Sequence, residues 1–285
     1  MFRVRLAGLL LVVVACSSRP PSDGELRDHA GQLVALEGPA QRIVSLSPAL
    51  TELLFSLGAG DRVVGRTRWG QDPEAALAVP SVGDGLSPNI EAVVAREPDL
   101  VLFYLSPSNG MAIERLNGLG IATASIRLDG LADLERAARL VGKLVDAHTV
   151  DSVLTAFHTQ LDAATADEDE RPDVLLLAWD NPPIAIGGAS FQSEIVERAG
   201  GHNVFADEAR PSLPVSIETI AAREPDVVLL TGGDEPAFAD ASEWQAVRAI
   251  RERRFVIVGG TQFAHPSFRA PEAIRELRRA LENRR

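Results

Sequence analysis

IEAVVAREPDLVL, residues 90–102, recurs as IETIAAREPDVVL at residues 217–229, with nine of thirteen positions identical and an offset of 127 residues. Two copies at so long a spacing are too few for a solenoid and indicate two similar lobes. Each copy reads as helix, turn and buried strand. Asn89 and Ser216 are N-cap residues ahead of short apolar-periodic runs (Ile90, Val93 and Val94; Ile217, Ile220 and Ala221). A residue before proline avoids the helical region, so the helices are predicted to stop near Glu97–Pro98 and Glu224–Pro225. Leu100–Phe103 and Val227–Leu230 follow as continuous apolar runs, the pattern of strands covered on both faces.

Outward from the repeats the alternation continues. The first lobe is predicted to hold a strand over Arg42–Leu46, a helix over Thr51–Leu57 ended by Gly58 and Gly60, and a strand over Val63–Gly65. A helix over Ala112–Leu119 and a strand over Ile121–Ile126 follow the first repeat, and a small hairpin over Asp28–Leu36 precedes the lobe. Residues 131–166 carry apolar positions at helical spacing; Asp146–Thr149 divides them, leaving a second helix from Val150 to Ala166 that joins the lobes. The second lobe is predicted as strand Val174–Ala178, a turn at Asn181-Pro182-Pro183 and helix Gln192–Ala199. After the second repeat come helix Ser242–Ile250, strand Phe255–Val258 and helix Pro271–Leu281. Thr51-Glu52 in the first lobe and Ser193-Glu194 in the second occupy matching places. The class is α/β, with a central, mostly parallel sheet in each lobe. The expected division is a leader at 1–15, a tether and lead-in at 16–40, lobes at 41–147 and 171–285, and an inter-lobe helix at 148–170.

The chain is acidic, with a net charge of −12 that becomes −14 once Arg3 and Arg5 leave with the leader. Nucleic-acid binding, which leaves a basic footprint, is not expected. Leu6–Ala15 is too short to span a bilayer and reads as a secretory leader. Val13-Val14-Ala15-Cys16 resembles the bacterial lipobox, which makes Cys16 the lipidated first residue. As Cys16 is the sole cysteine, no internal disulfide is possible.

These features together resemble the solute-binding proteins of ABC importers for cobalamin, haem and ferric siderophores. Five motifs in order carry the likeness: Arg42-Ile43-Val44-Ser45-Leu46-Ser47-Pro48 with Thr51-Glu52, Asn89-Ile90-Glu91 with Glu97-Pro98-Asp99, Gly200-Gly201-His202-Asn203-Val204-Phe205, Pro214-Val215-Ser216-Ile217-Glu218, and Arg269-Ala270-Pro271. The resemblance implies two lobes bridged by a single long rigid helix, ligand between the lobes, and little closure on binding. It also implies an exported monomer that docks on a permease dimer through one surface glutamate per lobe, at the positions of Glu91 and Glu218. An acid in a first helical turn also complements the helix dipole, and the two roles are compatible.

Within that group the likeness is strongest to the cobalamin-binding members, so the implied cargo is a cobalt corrinoid, with an iron chelate second and no resident cofactor. Trp69 falls where those members place a ring that packs on the ligand, whereas Gly85 stands where they often have a second aromatic. Tyr104 follows the strand of the first repeat, at a sheet edge where α/β proteins commonly bind ligands. Trp179 and Phe191 flank the Asn181-Pro182-Pro183 turn, and Phe263, Phe268 and Arg269 lie in the matching late loop. A wide flat ligand needs such aromatic surfaces with a few polar groups to orient it.

Haem is the alternative, with Tyr104 and His265 as iron ligands. An anionic siderophore would call on Arg66, Arg68, Arg127, Arg210 and Arg269. No HxH or HExxH spacing suggests a resident metal site. A hydrolase is the rival of another class, but GxSxG, Walker-type and GxGxxG patterns are all missing, so no enzyme is expected.

Overall fold

A computed structural model of the chain describes residues 26–283 apart from 86, 167–170 and 232–235. In chain order the first part comprises β1 (Ile43–Ser45), α1 (Pro48–Ser56), β2 (Val63–Arg66), α2 (Ile90–Val94), β3 (Leu100–Tyr104), α3 (Gly110–Gly118) and β4 (Ala122–Ile126). Helices α4 (Leu131–Val145) and α5 (Val150–Ala164) lead into β5 (Asp173–Asp180), β6 (Pro183–Ile186), α6 (Phe191–Arg198), β7 (His202–Asn203) and β8 (Ser212–Pro214). The chain continues through α7 (Ile217–Ala222), β9 (Val227–Thr231), α8 (Arg248–Arg251) and β10 (Phe255–Val258) to α9 (Ala270–Glu282).

The first sheet has the order β2-β1-β3-β4 and is parallel throughout. The second has the order β10-β9-β5-β6-β8, with β7 paired to β5; β10, β9 and β5 are parallel, and β6 and β8 run antiparallel. The fold is therefore α/β with one parallel and one mixed sheet. The antiparallel pair was not foreseen. Asn181-Pro182-Pro183 reads in sequence only as a turn, but it is the corner of a hairpin whose second strand starts at Pro183.

The two repeats adopt the same local structure. Asn89 Oδ1 accepts the Ala92 N–H (3.0 Å) and Ser216 Oγ accepts the Thr219 N–H (3.2 Å), which caps α2 and α7. Glu97 and Glu224, each before a proline, sit in the left-handed region at φ 47° and 46° and end both turns. The repeat aspartates then fix the neighbouring strand. Asp99 accepts the backbone N–H groups of Gln41 (2.7 Å) and Arg42 (3.0 Å) ahead of β1, and Asp226 accepts that of Asp173 (3.1 Å) at the start of β5.

Alternation along the strands divides the apolar side chains between faces. Leu100 and Leu102 of β3, with Val174 and Leu176 of β5 and Val227 and Leu229 of β9, enter one core that also takes in α1, α4, α5, α6 and α9. Val101 and Phe103 face a second cluster over α2 and α3, and Leu175 and Val228 a third over α7 and α8. The largest core thus runs behind both sheets. Helix α5 crosses within it. Thr149 Oγ1 at its start donates to Leu57 O (2.8 Å) in the first lobe, and beyond its end the Ala166 N–H donates to Arg198 O (2.7 Å) in the second. At 1.5 Å per residue the 15 residues of α5 span about 22 Å. Asp146, at φ 49°, breaks the 131–166 region as the sequence suggests, and α5 is shorter than the 148–170 expected for the inter-lobe helix.

The expected helix Ser242–Ile250 is instead a 3-10 turn (Ser242–Ala246) followed by the four-residue α8. The lead-in hairpin is reduced to one bridge between Arg27 and Leu33; buried Asp28 fastens it to the first lobe by accepting the Ser125 N–H (2.8 Å). Cys16 and the rest of the leader and tether through residue 25 lie outside the described residues, as do the acidic residues 167–170.

Candidate functional site

The carboxyl ends of the parallel strands in both lobes open on a cleft of about 720 Å³. The first lobe contributes the start of α1 (Ser47–Ala49), Tyr104 at the end of β3, and Asp129 beyond β4. The second contributes Ser190–Gln192 at the start of α6 and Ala264–Pro266 beyond β10. Ligands in α/β proteins bind at this edge because the loops there leave the sheet side by side.

Tyr104 donates its hydroxyl to Asp129 Oδ1 (2.5 Å), while Arg127 stands 3.4 Å from Asp129 Oδ2. Asp129 is itself held by its N–H, which donates to Asp133 Oδ2 (2.9 Å). The hydrogen bond to Asp129, then burial, then the carboxylate's charge push the Tyr104 phenol up to about 12, because each favours the protonated form. On the other side of the cleft, Glu52 of α1 reaches His265 of the second lobe (Oε2 to Nε2, 3.2 Å). Glu52 is only 3% exposed, and its Oε1 is buried without a hydrogen-bond partner.

A second link between lobes forms beside the cleft. Asp72 Oδ1 lies 2.9 Å from Arg269 Nη1, and Asp72 Oδ2 accepts the Thr261 hydroxyl. Arg269 also donates to Gln262 Oε1 (2.9 Å). It is therefore tied into this junction. The expectation that Phe263 and Phe268 present rings to ligand does not hold in this arrangement. Phe263 is 3% exposed and belongs to the large core, and Phe268 packs edge-on against Phe157 of α5 (5.3 Å, 73°). Both bury apolar area behind the cleft, the commonest use of a phenyl ring. Phe191 lines the cleft although it is almost fully buried.

Trp69 and Trp179 are 60% and 59% exposed, Trp69 on the loop that leaves the carboxyl end of β2 and Trp179 near the carboxyl end of β5 itself, opposite Ile184 of β6. Arg68 sits over the Trp69 ring (5.4 Å), and the Trp179 indole N–H donates to Asn181 O (2.7 Å). The remaining candidate arginines are engaged locally and do not form one cluster. Arg66 is buried and donates to Ala76 O and Thr67 O, Arg68 pairs with Asp84, and Arg210 pairs with Glu208. Among the described residues no group of three or more His, Cys, Asp and Glu side chains converges as a metal site would require.

Residues 43–260 match the family described as periplasmic binding protein. The chain belongs to the periplasmic binding protein family. Of its relatives, the vitamin B12-binding protein of Yersinia pestis (strain Pestoides F) is 30% identical over 198 residues, 68% of this chain and 70% of that protein. Among solved structures, the apo periplasmic haem-binding protein of Roseiflexus sp. RS-1 superposes with a TM-score of 0.76 at 23% identity, covering 86% of this chain and 99% of that one. The periplasmic vitamin B12-binding protein of Vibrio cholerae gives 0.64 at 23% identity, with 86% and 98% covered. At these identities the structural likenesses establish the fold.

Gly85 of this periplasmic binding protein stands where the resemblance to cobalamin-binding members implies an aromatic residue. A Cβ there would stand 2.2 Å from Leu46 O, so no aromatic side chain fits without moving the backbone of the β1–α1 loop. Glu91 and Glu218 are exposed in the first turns of α2 and α7, at matching positions of the repeat. Hydrogen bonds from its own backbone N–H and from Ser216 hold the Glu218 carboxyl below the usual range. Sequence reading overlooked Asp129, Asp72 and the Glu52–His265 contact. The one available signal was Glu52 within the Thr51-Glu52 motif.

Proposed function

We propose that this periplasmic binding protein captures cobalamin or a similar corrinoid between its lobes and delivers it to the permease of an ABC importer. The observation that carries the reading is an inter-lobe cleft lined by Tyr104, together with the exposed rings of Trp69 and Trp179 at the carboxyl ends of β2 and β5, one from each lobe. The 30% identity to a vitamin B12-binding protein supports the same cargo. In this reading the chain is exported, anchored through lipidated Cys16, and acts as a monomer without catalysis. Glu91 and Glu218 steer and register the complex by meeting one cationic patch on each permease subunit.

The test is a titration of the protein with cyanocobalamin, then haemin, then ferric siderophores, followed by tryptophan fluorescence and calorimetry. Saturable one-to-one binding of cyanocobalamin is expected. Trp69→Ala is expected to weaken it about thirtyfold, the loss typical of an aromatic anchor. Glu91→Arg with Glu218→Arg is expected to abolish uptake in cells and leave affinity intact; lost affinity would remove the docking assignment. A specific observation favours haem as the second reading: Tyr104 and His265 line the same cleft. Tight haemin binding with no response to cyanocobalamin would select it.

A further inference from the structure

The charge of the cleft bears on which flat ligand it takes. Among the described lining residues the ionisable side chains are Tyr104, Asp129 and His265, with neither lysine nor arginine. Any positive charge on His265 is already faced by Glu52 at 3.2 Å. Arg127, the cation nearest to Asp129, is about half exposed and is engaged by that carboxylate. Two helix starts also point into the cleft, but Pro48 removes a donor from α1 and the Ser190 hydroxyl accepts the Ser193 N–H of α6. Glu52 and Glu194 place a carboxylate within the first five residues of each helix. A helix terminus at its ordinary strength would favour an anion by a factor of about five at most.

We propose that Asp129 is a specificity-determining residue of this cleft: its carboxylate, standing in the lining beside Tyr104 while its ion-pair partner Arg127 lies outside the lining, admits amide-bearing tetrapyrroles and rejects carboxylate-bearing ones. The proposal rests on the reading that the cleft holds a tetrapyrrole. A corrin carries uncharged amides around its rim, which Asp129 accepts as hydrogen-bond donors. A porphyrin with two propionates brings like charge toward Asp129, and water screens that repulsion only partly in a cleft. With the phenol hydrogen committed to Asp129, Tyr104 is also poorly placed to become a phenolate ligand for iron.

Haemin and its dimethyl ester differ only in those carboxylates, so their affinities isolate the effect. With the wild-type protein, Soret titrations are expected to show the ester binding more tightly than haemin, and cyanocobalamin binding is measured alongside. In Asp129→Asn the preference for the ester over haemin is expected to fall about tenfold, the scale of one unit charge acting across a partly wet cleft. Thermal melts establish that the variant is folded, and the ratio of the two ligands cancels any general change in the cleft. An unchanged ratio, or haemin and ester gaining equally, would overturn the assignment to Asp129. If the wild-type protein binds none of the three tetrapyrroles, the functional reading falls and the inference with it. If cyanocobalamin binds but the ratio does not move, the inference alone falls.

Discussion

Tyr104 is the sole tyrosine of the chain, so phenolate absorbance reports its ionisation without interference. Its hydroxyl donates to Asp129 at 2.5 Å, and the phenol is pushed up to about 12. An unperturbed tyrosine ionises near about 10. A shift of about two units is worth about 2.7 kcal/mol at full strength. The residue is 42% exposed, however, so solvent screens the pair and about 1 kcal/mol is the realistic contribution. The sign follows from linkage. The folded chain holds the proton more tightly, so this stabilisation is complete below about pH 10 and is lost as the pH rises through about 12. The assay is a spectrophotometric titration, with far-UV circular dichroism on the same samples to establish that the chain is still folded. The native protein should show its midpoint well above that of the chain in denaturant, and Asp129→Asn should bring it back most of the way. A native midpoint near 10, unmoved by Asp129→Asn, would refute the bond as the cause and weaken the case for Asp129 in the cleft.

Two further outcomes test the architecture. Phe157 is almost fully buried on α5 against Phe268 of the second lobe, so Phe157→Ala should cost about 3–5 kcal/mol. Because the core is shared, denaturant unfolding followed by fluorescence and by circular dichroism should remain one transition; two separated transitions would show that the lobes fold independently. Small-angle scattering with and without ligand should give nearly the same radius of gyration, and a clear contraction would contradict a rigid bridge.

The repeat was legible because its information is local. Caps, a residue before proline and an apolar run all act within thirteen residues, and Asn89, Ser216, Glu97 and Glu224 each do what their chemistry requires. Long-range choices were less readable. The antiparallel β6 and β8 depend on which strand β5 pairs with, which period-two patterning does not encode. Phe263 and Phe268 were read as ligand-facing because loops are ordinarily surface structure, but this loop turns back on α5, and rings gain more from apolar burial than from exposure. Asp129 and Glu52 are commonplace acids in sequence. What distinguishes them is a partner 25 residues away for one and 213 residues away for the other.

The shared core also constrains how ligand enters. Hinge motion between domains requires two cores joined by little chain, so that closing exposes no apolar surface. Here α4, α5, α6 and α9 pack into one layer behind both sheets, and swinging the lobes apart would open that layer to water. The movable contacts are those at the front: Asp72 with Arg269 and Thr261, and His265 with Glu52. All are polar, but they differ in cost: the Asp72 and Arg269 side chains are partly exposed and can readily exchange a protein partner for water or ligand, whereas buried Glu52 would need water or ligand to replace His265 at once. Adjustment to ligand is therefore expected in side chains and loops at the carboxyl ends of the strands, with the helices behind them staying fixed. A cleft held in this way is expected to order little of itself on binding, so that affinity would depend on how well its side chains already match the ligand.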